Sequence, residues 1–181
     1  EGAPITSGSD NIGGAVGYSN GTVSGITGKV SINIGSTSSI YAIGGIVGQN
    51  GENGTVTECS NGAEIVGTKA VGGIVGRSYG AVSKCINTGD VSGCRGGNHG
   101  KDGIGGIVGL GGNKSGTYTN TITSCYNRGN ISNDNGKWVG GIVGMTDRAT
   151  TVSNCYSTGK IVGVGQANPI IGQSEGTALY N

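Results

Sequence analysis

One short motif returns along the chain and constrains the fold more than any other feature. It has the form apolar-Gly-Gly-Ile-Val-Gly, as in Ile43-Gly-Gly-Ile-Val-Gly48. Five copies begin at Ile12, Ile43, Val71, Ile104 and Val139, and a degenerate sixth begins at Ala167. The steps between starts are 31, 28, 33, 35 and 28 residues. A period near 30 residues indicates a stack of similar units.

Each unit contains two further apolar positions that repeat in the same order. The first lies in a Thr-Val-Ser-like run and is occupied by Val23, Val56, Val82, Ile122 and Val152. The second is assigned to Val30, Ile65, Val91, Ile131 and Ile161. These runs are short, rich in Val, Ile and Thr, and separated by Gly and Asn, which favours strands and tight corners over helices. The sequence therefore predicts three short strands per unit.

The composition restricts what such a stack can enclose. The 181 residues include 42 Gly, one Trp and no Phe, so the interior must be narrow and lined by small side chains. Three strands and three corners in about 30 residues fit one coil of a parallel β-solenoid. We predict an all-β, right-handed β-helix of five to six coils that forms a single domain over residues 1–181.

Unequal repeat lengths locate the loops. The extra residues fall before the next motif and in the corner from Leu110 to Asn120, which carries Lys114 and Tyr118. We expect both places to be surface loops.

The charge balance excludes two classes of partner. Eleven Lys and Arg stand against ten Asp and Glu, so the chain has no field that would attract nucleic acid or an anionic membrane. No apolar run approaches the roughly 18 residues needed to span a bilayer, and we expect no membrane insertion. The first residues, from Glu1 to Pro4, lack the pattern of a signal peptide, and we expect the chain to be part of a longer protein.

The repeats resemble a known family. Val82-Ser-Lys-Cys85-Ile-Asn87-Thr-Gly89-Asp-Val91, taken with the glycine-rich motif, is similar to the GLUG repeat, with Ile in place of Leu in copies two to five and Ala15 in the first. The resemblance runs from Asn11 to about Gly172.

The resemblance has functional implications. It implies bacterial cell-surface and secreted proteins, including adhesin-like proteins and repeat regions of IgA-specific metallopeptidases, and no catalytic residue within the repeats. The peptidase helix His-Glu-x-x-His is missing from this sequence, in which His99 is the one histidine. We therefore predict neither an enzyme nor a bound metal or cofactor.

Four of the five cysteines share one position in the repeat. Cys59, Cys85, Cys125 and Cys155 align with Ile26, which predicts a column of free, buried thiols. Their spacing does not match a zinc site. Cys94 lies in a glycine-rich loop with His99 and is the candidate reactive thiol.

Acidic, aromatic and hydroxyl side chains leave three rival functions open. Glu64 and Asp90 share one column, which we place beside Lys29; two neighbouring carboxylates suit a carbohydrate-active enzyme or a cation. Tyr126 and Tyr156 also share a column and form a possible platform for sugar rings, with Tyr118 as a further ligand-binding candidate. The repeated Thr and Ser positions resemble the hydroxyl arrays of ice-binding solenoids.

The sequence favours a structural and interaction module over these rivals. We expect an extracellular or cell-surface scaffold that acts as an adhesin-like spacer. Its expected partners are neighbouring domains of the same chain and host glycans or proteins.

Overall fold

The computed structural model describes residues 3–6, 8–35, 40–93, 103–112, 118–134, 138–147 and 149–176. These residues form short strands joined by turns and bends, without a helix. Hence the described part of the chain has no helix with the length and apolar character needed to cross a bilayer. The strands stack as parallel sheets, one strand per coil, so the predicted β-solenoid is confirmed.

Two sheets are built from the glycine-rich motif. The first sheet contains β1 (Ile12–Gly13), β6 (Tyr41–Gly44), β11 (Lys69–Gly72), β16 (Ile104–Gly105), β21 (Trp138–Gly140) and β26 (Gln166–Asn168). The second contains β2 (Val16–Ser19), β7 (Val47–Asn50), β12 (Val75–Ser78), β17 (Val108–Gly111), β22 (Val143–Thr146) and β27 (Ile171–Ser174).

Three further sheets complete each coil. The third sheet contains β3 (Thr22–Ser24), β8 (Thr55–Thr57), β13 (Ala81–Ser83), β18 (Asn120–Thr123) and β23 (Thr150–Ser153). The fourth contains β4 (Thr27–Gly28), β9 (Ser60–Asn61), β14 (Ile86–Asn87), β19 (Tyr126–Asn127) and β24 (Tyr156–Ser157). The fifth contains β5 (Ile32–Asn33), β10 (Ile65–Gly67), β15 (Val91–Gly93), β20 (Ile131–Asn133) and β25 (Ile161–Gly163).

A coil therefore has five short strands where the sequence predicts three. The glycine-rich motif is not one strand but a corner between two, because the chain bends at its second Gly. At the first Gly of the motif, Gly44, a Cβ would collide with the carbonyl oxygen of Val47 in the same coil. The residues after each Cys-column position add a two-residue strand, which is too short to stand out as a pattern.

The predicted register is confirmed at two of the three columns. Ile12 pairs with Ile43, and Val56 pairs with Val82, as the alignment of the repeats requires. The third column is wrong in the first coil, because Ile32 rather than Val30 pairs with Ile65. The sequence Gly28-Lys-Val30 imitates the Gly-x-Val step of later coils, but the fixed distance from the Cys column places Ile32 inside.

The core consists of two apolar columns rather than one. The larger column includes Ile46, Val56, Cys59 and their equivalents, and the other includes Ile43, Ile65 and theirs. Asn61 lies against the second Gly of the motif, where a Cβ on Gly45 would come within 2.7 Å of the amide carbon of Asn61. Asn87 meets Gly73 and Asn127 meets Gly106 in the same way. In the second, third and fourth coils, this contact therefore brings opposite walls of the solenoid together between the two apolar columns.

The three asparagines form a hydrogen-bonded ladder. The Asn61 amide donates to Asn87 Oδ1 at 3.0 Å, and the Asn87 amide donates to Asn127 Oδ1 at 2.8 Å. Asn87 also donates to the carbonyl of Gly89 at 2.7 Å. The Asn127 amide ends the run by donating to Ser157 Oγ at 3.1 Å. These amides also satisfy backbone carbonyls at the corners of their coils.

A column of residues with left-handed backbone conformation precedes the cysteines. Gly25, Glu58, Lys84, Ser124 and Asn154 have φ values of 67°, 54°, 52°, 54° and 51°. Glycine adopts this conformation without strain and asparagine tolerates it, whereas it is strained for Glu58, Lys84 and Ser124. Glu58 and Lys84 form an ion pair at 3.1 Å with side chains 60% and 65% exposed, so the pair contributes little to stability.

The loops lie at two corners, but one is shorter than predicted. The chain from the third to the fifth sheet has the same length in every coil, whereas the corners before the first sheet and after the second vary. Leu110 and Asn120 were expected in a loop but are buried strand residues. Leu110 packs with Met145 on an outer apolar cluster, and the Asn120 amide donates to Ser78 Oγ at 2.9 Å.

We predict that Asn87→Ala lowers the free energy of unfolding by about 2–4 kcal/mol, because it removes the buried hydrogen bonds that Asn87 makes with one N–H of the Asn61 amide, with Asn127 Oδ1 and with the Gly89 carbonyl. Denaturant unfolding measures the change. The exposed control Thr158→Ala should stay within about 0.5 kcal/mol of the original chain. Equal changes in the free energy of unfolding for the two substitutions would show that the asparagine ladder does not stabilise the fold more than an exposed side chain does.

We also predict that Ser124→Gly raises the free energy of unfolding by about 0.5–1 kcal/mol. Glycine removes the strain of a left-handed residue, and this gain exceeds its entropy cost. The matched control is Ser132→Gly in the extended strand β20, which should lower stability by about 0.5–1 kcal/mol. A loss of stability at both positions in thermal unfolding would contradict the prediction.

Candidate functional site

The structure brings Tyr126 and Tyr156 together as the sequence predicts. They pair in the fourth sheet, and their rings stack with centroids 5.2 Å apart and planes 5° from parallel. The Arg128 guanidinium carbon lies 5.9 Å from the centroid of the Tyr126 ring. Tyr156 is 54% exposed. Each ring uses one of its faces to stack on the other ring, so the pair covers this flank of the solenoid. Sugar binding at this pair stays a prediction.

The carboxylates of Glu64 and Asp90 share a column, but Lys29 does not flank them. The correct register places Ser31 beside Glu64, since the Ile32 amide donates to the Glu64 carbonyl. Asp90 Oδ1 accepts the backbone N–H of Asn130 at 2.8 Å, and Asn130 Oδ1 accepts that of Lys160 at 3.1 Å. Asp90 and Asn130 thus have the same structural contact. The catalytic interpretation of the two acids stays a prediction.

The cysteine column is structural, as predicted. Cys59, Cys85 and Cys125 are buried, Cys155 is half-buried, and all four are free thiols. The backbone N–H of Cys85 donates to Cys125 Sγ at 3.4 Å. Burial raises the pKa of the Cys59 thiol, which reduces its reactivity. Cys94 and His99 lie outside the described residues, so the reactive thiol stays a prediction.

The hydroxyl array of the third sheet is partly bonded to itself. Thr57 Oγ1 and Ser83 Oγ are 2.9 Å apart, and Ser153 Oγ donates to Thr123 Oγ1 at 3.1 Å. Ala81 interrupts the neighbouring column. Hydroxyls that bond to each other are less available to outside water, and the ice-binding alternative stays a prediction.

A cluster that the sequence analysis missed lies at the corner between the second and third sheets. We name it the Glu52 patch, and it consists of Tyr18, Glu52, Arg77, Tyr79 and Tyr118. Its tyrosines come from the first, third and fourth coils, and Glu52 comes from the second. Tyr18 and Arg77 share one register position of the second sheet, since both pair with Gln49. Repeat alignment does not find the cluster because Glu52, Tyr79 and Tyr118 lie in the following corner, whose length differs between coils.

Tyr18 and Tyr118 are both exposed and lie near Glu52 or its neighbour Gly51. Tyr18 is 55% exposed and its hydroxyl lies against Gly51, where a Cβ would be 2.8 Å from it. Tyr118 is 41% exposed, and a hydrogen bond to the Glu52 carboxylate raises the pKa of its hydroxyl. Tyr118 was a ligand-binding candidate from the sequence, and the structure gives it an acidic partner.

Arg77 and Tyr79 form the inner part of the patch. The Arg77 guanidinium carbon lies 4.4 Å from the ring centroid of Tyr79 and 5.2 Å from that of Tyr41, so its charge is held between two aromatic faces. Burial raises the pKa of Tyr79, and the charges of Asp147 and Glu52 act in the same direction. Both Tyr79 and Tyr118 therefore stay protonated, and they are hydrogen-bond donors rather than general bases at neutral pH.

Side chains that could bind a metal ion are scattered over the structure. Among the described residues, no three or more His, Cys, Asp or Glu side chains lie close enough together to hold a metal ion. The absence of a metal centre stays a prediction for the whole chain.

We predict that Glu52→Gln lowers the pKa of Tyr118, because the substitution removes the negative charge that stabilises the neutral phenol. The pKa of Tyr79 should fall as well, since Glu52 also raises it. Absorbance at 295 nm during alkaline titration, or NMR of the tyrosine rings, measures both. Glu58→Gln, at another corner, is the control and should leave the titration unchanged; identical curves for the two variants would contradict the patch geometry.

Comparison with known proteins gives one family match. The model of the GLUG motif matches residues 139–162. This span starts at the glycine-rich motif of the fifth coil and ends in β25, which is nearly one complete coil. No curated protein and no solved structure matches the chain significantly. The chain thus carries the GLUG motif, a repeat motif whose matched span coincides with a coil of the solenoid.

Proposed function

We propose that this chain is a non-catalytic structural module of a bacterial cell-surface or secreted protein, where it acts as an adhesin-like spacer and displays its loops. The observation that carries the proposal is the pairing of the first five coils in all five sheets, which a sixth coil continues in the first two sheets. A stack in which every coil is held by its neighbours forms a stiff rod. At about 4.8 Å per coil, five to six coils span roughly 25 Å.

The position of the variable segments supports a display role. Extra residues enter only at the corners before the first sheet and after the second, while the chain from the third to the fifth sheet keeps one length. Two corners of the rod thus accept changes in sequence without disturbing the ladders. A scaffold that presents variable segments needs this separation.

The use of buried polar groups supports a non-catalytic role. The interior amides of Asn61, Asn87 and Asn127 bond to each other and to corner carbonyls. These side chains are committed to holding the fold. An extracellular location is supported by the resemblance to GLUG repeats of surface and secreted proteins, together with the motif match.

We predict that antibodies raised against the purified chain label intact cells of the bacterium that produces it, or detect the protein in the culture medium. Brief protease treatment of intact cells should remove the cell-bound signal. A cytoplasmic protein, probed in parallel, should be detected only after lysis. Detection of this chain only after lysis would overturn the extracellular part of the proposal, and the fold would be unaffected.

A further inference from the structure

The Glu52 patch combines three features that one kind of ligand requires together. Two exposed tyrosines lie near one carboxylate: Tyr118 is hydrogen-bonded to Glu52, and the Tyr18 hydroxyl lies against the preceding residue, Gly51. Tyr79 lies in the third coil, between the coils of Glu52 and Tyr118, and its ring packs against Arg77. The patch is therefore an apolar surface with an anionic hydrogen-bond acceptor at its centre.

A sugar matches this arrangement. A pyranose ring has an apolar face of C–H groups that packs on aromatic rings, and hydroxyl groups at its edge that donate to a carboxylate. Exposed Glu52 accepts a hydrogen bond from Tyr118 and, as a carboxylate, has further lone pairs for ligand hydroxyls. The tyrosine hydroxyls add donors and acceptors at the same edge.

The local charges select among sugars. Tyr79 is close to the negative charges of both Glu52 and Asp147, and among the described residues the cation that acts on it is Arg77. The guanidinium of Arg77 already lies between the rings of Tyr41 and Tyr79. An acidic sugar would meet Glu52 at close range, and within the part of the chain that the structure describes the patch offers it no cation besides Arg77. Its binding is therefore disfavoured relative to a neutral sugar.

We propose that the Glu52 patch is a binding site for a neutral glycan, with Tyr18 and Tyr118 as the aromatic contacts and Glu52 as the acceptor of sugar hydroxyls. The patch lies at the variable corner between the second and third sheets, which the solenoid leaves free to change. This site is distinct from the Tyr126–Tyr156 pair on the fourth sheet. The inference does not depend on where the protein is located in or outside the cell.

The experiment uses the complete 181-residue chain on an array of neutral, acidic and amino-sugar oligosaccharides, followed by calorimetric titration with the best neutral oligosaccharide. We expect neutral structures to be retained preferentially. Tyr118→Ala and Glu52→Gln should each weaken binding by tenfold or more. Tyr156→Ala is the matched control, since it removes an equally exposed tyrosine elsewhere, and its affinity should stay within twofold.

A loss of binding in these variants can be separated from a loss of folding. Tyr18, Tyr118 and Glu52 are exposed, so their variants should unfold at the same temperature as the original chain. Three results would overturn the proposal: no retention of any neutral oligosaccharide at millimolar concentration, stronger retention of acidic ones, or loss of binding in Tyr156→Ala with Tyr118→Ala unaffected. None of these results bears on the intact-cell labelling, so failure of this site and failure of the proposed location are distinguishable.

Discussion

The contact between a buried asparagine amide and the second glycine of the motif determines the cross-section of the solenoid. Asn87 against Gly73 leaves room for no side chain on the glycine, and replacement of the amide would strand polar groups in the interior. Glycine and asparagine are therefore required jointly, although they lie in opposite parts of the coil. Because the two walls approach this closely, each half of the core holds only residues of the size of Val, Ile and Cys.

The fold and most of the register could be predicted from the repeats, because equivalent residues recur in one order along the chain. Val56 over Val82 follows from alignment alone. The error at Val30 arose where a local Gly-x-Val pattern competed with the distance from the Cys column, and the distance was the better guide. The left-handed conformation of Glu58 and Lys84 could not be predicted from the sequence, because these residue types seldom adopt it and tertiary packing imposes it.

Of the two aromatic sites, one could be predicted from the sequence and the other could not. Tyr126 and Tyr156 occupy equal positions in successive coils, so their stacking could be predicted. The Glu52 patch could not, because Glu52, Tyr79 and Tyr118 lie in corners whose lengths differ from coil to coil. Their proximity depends on how each corner folds back over the rod. Repeat alignment thus identifies what is shared among coils, and it is blind to what the variable corners assemble.

The near-equivalence of the coils has a consequence for folding kinetics. The surface that Val82 presents to Val56 resembles the surface that Ile122 presents to Val82, so a segment that docks one whole coil out of place still satisfies its apolar columns. Such misdocked states differ from the native one by a looped-out coil and little else. They are kinetic traps of a kind that a globular core of unlike parts does not have. The interruptions of the ladder, Gly28 at one end and Ser157 at the other, are among the few features that distinguish one docking position from the next.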